Sequence, residues 1–94
     1  MNEIEHLVDP NRRSAAREKI RSGRQLRAAR ALVGLSQSEL AREVGTTTRS
    51  IRAWEGRDGP PSEAPIFAGK VEAALARRGV VFFSRPTLGV RLSV

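Results

Sequence analysis

Cysteine and tyrosine are absent from this 94-residue chain, and histidine and tryptophan occur once each. Without cysteine there is no disulfide, no thiolate metal site and no thiol nucleophile. The single histidine, His6, sits in the acidic stretch Met1-Asn-Glu-Ile-Glu-His-Leu, and the carboxylates elsewhere are not clustered. Acid–base or metal-assisted hydrolysis thus has no evident residue set, which makes an enzyme the weakest reading and implies no metal or cofactor. Long apolar runs are missing too, so no segment suits a membrane span. The first residues lack the basic start and apolar stretch of a secretion signal. The expected location is the cytoplasm.

Acidic side chains are scarce beside basic ones: 10 Asp and Glu against 17 Lys and Arg, a net charge of +7. The imbalance is local. Residues 1–9 hold Glu3, Glu5 and Asp9 with no Lys or Arg. Residues 10–57 hold eleven Arg and Lys19 against four Glu, a net of +8. A field of that sign suits a polyanion. A charge kept for solubility is the plainer alternative. A membrane surface fits less well, because the basic residues are not paired with a bulky apolar helix face. At 39% hydrophobic residues the chain can fill one small core.

Capping signals divide the sequence. Asp9-Pro10 can start a weak basic helix or arm over Asn11–Arg21, in which Ile20 is the one large apolar residue. Ser22-Gly-Arg-Gln25 and Ser36-Gln-Ser-Glu39 both fit the capping box, a Ser cap answered three residues on by Gln or Glu. The first marks a helix over about 23–33, with Leu26, Ala29, Leu32 and Val33 inward, closed by Gly34. The second starts another helix. Thr47 or Thr46 can cap a third, running to about Gly56. Arg57-Asp-Gly-Pro-Pro-Ser reads as loop. Ala64–Arg78 reads as a fourth helix with Ile66, Phe67, Val71 and Leu75 inward, ended by Gly79. Val80–Phe83 and Leu88–Leu92 flank a turn and read as a short β-hairpin. The domain division is an acidic end and basic segment at 1–22, a helical unit at 23–78 and a hairpin tail at 79–94.

Between the second and third helices the spacing is specific. Ala41 is small where a second helix must cross closely, and Gly45 occupies a turn that needs positive φ. Ile51 and Trp54, three apart, share one face of the third helix. This is the pattern of a helix-turn-helix, which presents its second helix to the DNA major groove.

Over Leu35-Ser-Gln-Ser-Glu-Leu-Ala and Val44-Gly-Thr-Thr-Thr-Arg-Ser-Ile-Arg-Ala-Trp-Glu-Gly the chain resembles the lambda-repressor-like helix-turn-helix proteins, the Cro/xenobiotic-response-element type of regulator. The resemblance covers about residues 23–78. It implies a mainly α bundle of four to five helices working as a dimer on double-stranded DNA. It also implies a phosphate contact from Gln37 and base reading by Thr48, Arg49, Arg52 and Ala53. Arg30 and Glu55 occupy positions that often form an ion pair in this family, so both read as structural, with a phosphate contact open to Arg30. Trp54 aligns with a packing position.

Physical chemistry favours Arg49 among the readers. A guanidinium near a helix N-terminus can bond guanine O6 and N7 together, worth about 1–3 kcal/mol of discrimination. Arg52 can reach a base or only a phosphate. Arg42, Thr47 and Arg57 are phosphate candidates, which position without reading sequence. Arg12, Arg13 and Arg17 can follow the backbone or enter a minor groove. Each of these side chains could instead be solvated and touch nothing.

Instead of the family's usual fifth helix, residues 80–92 carry the β-like tail. Two apolar strands do not make a stable sheet alone, and an open strand edge invites a partner. The expectation is a homodimer through residues 80–92; the alternative is a hairpin folded on the chain's own fourth helix. The function expected is a transcriptional repressor on an inverted-repeat operator. The alternative is an antitoxin or other protein-interaction module with autoregulatory DNA binding.

Overall fold

The computed structural model describes residues 19–61 and 65–93. The acidic end, the helix start at Asp9-Pro10, the arm residues Arg12, Arg13 and Arg17, and Ala64 lie outside the described residues. Those residues form four helices and a hairpin: α1 Gly23–Val33, α2 Gln37–Val44, α3 Thr48–Glu55, α4 Pro65–Ala76, β1 Val80–Phe83 and β2 Gly89–Leu92. Lys19–Arg21 are not helical, so the basic helix expected over 11–21 does not reach Arg21. Instead the Ile20 amide donates to Glu72 Oε2 of α4 at 2.9 Å, and the Ile20 side chain enters the core.

Local chemistry sets the helix ends. Ser22 and Ser36 head complete capping boxes, and the Thr47 hydroxyl accepts the Ser50 amide at 3.1 Å. Each cap satisfies backbone donors that a helix leaves unpaired in its first turn. α1 and α2 close on Gly34 and Gly45 at φ +71° and +78°, conformations that cost glycine little and other residues more. The second closure turns the chain directly into α3.

The core gathers one stripe from each element: Leu26 and Ala29 of α1, Leu40, Ala41 and Val44 of α2, Ile51 and Trp54 of α3, and Phe67, Val71, Ala74 and Leu75 of α4. Trp54 is buried, its ring 5.6 Å from that of Phe67, and its Nε1 donates to the Gly59 carbonyl at 3.1 Å. The indole therefore packs the bundle and anchors the loop after α3. Two expected core residues face out: Leu32 is 43% exposed and Ile66 68%. Each neighbours a residue that faces in, Val33 or Phe67. Each lies about 100° round its helix from that neighbour, on the side turned to solvent.

α4 is shorter than expected, ending at Ala76. Arg77, Arg78 and Gly79 continue as a hydrogen-bonded turn. Arg78 bonds Glu43 of α2 at 2.7 and 2.8 Å, and this holds the Glu43 carboxyl below its ordinary pKa. The pair is exposed, so water and salt weaken it. No helix among the described residues is long and apolar enough to cross a membrane.

β1 and β2 pair antiparallel, Val80 opposite Leu92 and Phe83 opposite Gly89. Val80 and Phe82 enter the same core as the helices. Gln25 fixes the dock. Its Oε1 accepts the Arg21 and Ser22 amides, at 2.7 and 3.2 Å. Its Nε2 donates to the carbonyls of Phe83 and Gly89, at 3.0 and 3.1 Å. One buried amide thus caps α1 and ties it to the hairpin with its polar atoms paired, as a buried polar group requires. The hairpin's inner face is covered by α1 and, through β1, by α4.

Candidate nucleic-acid interface

Burial of Ile51 and Trp54 fixes which side of α3 is free. Arg49, Arg52 and Ala53 are exposed and Thr48 is half-buried, so the four expected readers all reach the surface. Thr48 and Arg49 stand in the first turn, where the helix dipole and unpaired amides add positive potential. Beside them the Thr47 hydroxyl is engaged at the cap, accepting from the Ser50 amide and donating to Ser50 Oγ at 3.2 Å.

Behind this face α1, α2 and α3 meet on one carboxylate. Arg30 grips Glu55 with Nε at 2.5 Å and Nη2 at 2.9 Å, and its Nη1 donates to the Leu35 carbonyl at 2.8 Å. The side chains are 16% and 5% exposed. Hydrogen bonding to Glu55 holds the Arg30 guanidinium above its ordinary pKa, against the opposing effect of burial. Gln37 Nε2 donates to Glu55 Oε1 at 3.1 Å. The start of α2 is thereby tied to the end of α3, and the arginine of α1 clamps both. The pairing expected for Arg30 and Glu55 is present.

Not all the expected phosphate residues come together. Gln37 and Arg30 meet at Glu55, and Arg57 projects from the loop just after α3. Arg42 stands five residues beyond Gln37, roughly 140° round α2. There its charge acts on Glu39, whose carboxyl is lowered mainly by hydrogen bonds at the Ser36 cap. One basic residue was not anticipated. Arg27 of α1 shares an open cavity of about 290 Å³ with Arg30, Gln37, Arg52, Glu55 and Gly56. Its signal in the sequence is the spacing Arg24, Arg27, Arg30, which puts three cations on one side of α1. Among the described residues no three His, Asp or Glu side chains come together as a metal set.

Residues 26–64 match the family model for helix-turn-helix domains. No curated protein matches the chain in a sequence search. The matched region spans α2, the turn at Gly45 and α3, with buried Ala41 on the inner side of α2. The matched stretch is a helix-turn-helix of the lambda-repressor-like, Cro/C1 type, a kind of domain that DNA-binding transcription regulators carry.

Proposed function

We propose that this protein is a repressor that binds an inverted-repeat operator as a homodimer. The carrying observation is the first turn of α3: Thr48 and Arg49 stand at the surface on a helix whose opposite face is locked by Ile51 and Trp54. A guanidinium projecting from the first turn of a fixed helix can bond guanine O6 and N7 together, which suits Arg49 to reading. Ala53, one turn on, allows close approach to a thymine methyl. Gln37, Thr47 and Arg57 supply backbone contacts that set the register. Bound across a promoter, such a dimer represses by occupying the site.

One copy of the unit covers half a site, so a second copy is needed for a long operator. The hairpin's inner face is already taken by its own helices. Pairing between copies would therefore use a strand edge. Among the described residues no third strand pairs with the hairpin, and Leu88 and Leu92 are exposed on its second half.

Arg49→Ala tests the reading head. The chain should fold as before, and its preference for operator over random duplex should fall about 5- to 150-fold, the equivalent of about 1–3 kcal/mol for one lost bidentate contact. An unchanged ratio of the two affinities would reject Arg49 as a reader.

A further inference from the structure

Position on the helix assigns Arg52 to the reading head, one turn after Thr48 and Arg49. The surroundings of its side chain point elsewhere. Arg52 lines the same cavity as Arg27 of α1 and Gln37 of α2, with the Arg30–Glu55 pair alongside. Three guanidiniums and one carboxylate meet there. The carboxylate is taken by Arg30 through two hydrogen bonds and by the Gln37 amide through a third. Among the described residues neither Arg27 nor Arg52 has a carboxylate partner. The cavity is therefore a cationic recess with its one internal acid already matched.

We infer that Arg27 and Arg52 together grip a single DNA phosphate across the seam between α1 and α3, and that Arg52 serves the backbone and reads no base. This rests on the proposal that α3 enters a DNA groove. Three observations support it. The recess is built from three separate helices, so a ligand in it contacts all three at once. That suits a contact that seats the domain more than one that follows a base edge. Arg27 and Arg52 present donors only and face one another across the recess, which fits the several acceptor oxygens of one phosphate. Finally, Gln37 Nε2 is anchored on Glu55, so the amide is held beside the recess before DNA arrives, and little side-chain entropy is lost on binding.

The same geometry gives Glu55 a second task. By fixing Arg30 and Gln37 it leaves Arg27 and Arg52 as the charges free to meet an anion. Arg49 lies outside this recess, in the first turn of α3.

The test compares Arg27→Ala, Arg52→Ala and Arg52→Lys in the full-length chain, with thermal melts to confirm folding. Affinity is measured across a salt series on two duplexes, the sequence selected by the wild type and a random one. Each Ala variant should weaken both duplexes by the same factor and reduce the slope of log K against log salt by about 1, the signature of one lost phosphate contact. Arg52→Lys should keep that slope, since a point charge still meets a phosphate. The inference is overturned if Arg52→Ala changes base preference at an operator position, if either Ala variant leaves the slope unchanged, or if Arg52→Lys behaves as Arg52→Ala. Slopes on random duplex report the clamp even when no operator is found, so failure of the clamp and failure of the reading head are separable.

Discussion

Gly23→Ala is expected to destabilise this domain by about 3 kcal/mol or more, the upper end of the range for overpacking. Helix propensity argues the other way, because Ala in place of Gly within a helix gains about 0.5–1 kcal/mol. Packing decides the sign. A Cβ at Gly23 would overlap the Trp54 carbonyl oxygen and lie 2.7 Å from Glu55 Cα and 2.8 Å from the Arg57 carbonyl oxygen. All three obstacles are backbone, so no side chain can swing aside. The Gly23 amide also donates to the Arg57 carbonyl at 3.0 Å, tying the start of α1 to the chain just after α3. Separating these elements to admit a methyl group would break that bond and shift Trp54, the largest fully buried side chain. Urea unfolding should show a much lower midpoint with an unchanged slope. A variant as stable as the wild type would mean that α1 and the end of α3 are not in this close contact.

Arg30→Met is expected to cost about 3–5 kcal/mol, because it strands a carboxylate that is 5% exposed with only the Gln37 amide to compensate it. For a domain of this size, that is a large part of a total stability of roughly 5–15 kcal/mol. Arg30→Met combined with Glu55→Leu should recover most of the loss, since a buried ion pair replaced as a unit by apolar groups is often neutral. A double-mutant cycle by chemical denaturation measures the coupling. Additive losses from the two single variants would show that the pair is not energetically joined. The rescued double variant should still bind DNA weakly, because Gln37 loses its anchor and the recess its matched floor.

Most of the helical frame is legible in the sequence, for a local reason. A capping box spans four residues, and a left-handed glycine closes a helix within one turn, so Ser22, Ser36, Thr47, Gly34 and Gly45 can be read without tertiary information. The stripes of α2 and α3 are equally clear, because their large apolar residues recur three or four apart among polar ones, Leu40 with Val44 and Ile51 with Trp54. Where two apolar residues are neighbours, as at Leu32–Val33 and Ile66–Phe67, the helix crossing chooses between them, and that depends on residues far along the chain.

The rest hides in long-range contact. Gln25 reads as half of a capping box. The hydrogen bonds of its Nε2 go to residues 58 and 64 positions away. That docking decides that the hairpin folds on its own helices. Gly23 reads as an ordinary residue after a cap, since nothing nearby announces a backbone pressed against it. Arg27 is one arginine among many until α1, α2 and α3 enclose it with Arg52. The outward residues of α3 are legible because the helix is short and its buried pair leaves little choice of outward face. The surroundings of each outward side chain depend on neighbours that only the fold supplies.

Selection of bound sequences from a pool of random duplex DNA by the full-length chain tests the central claim most directly. The expected product is an inverted repeat whose half-sites lie about one helical turn, roughly 10–10.5 base pairs, centre to centre. Recovery of no preferred sequence, with binding set by salt alone, would contradict the assignment of α3 as a reading head.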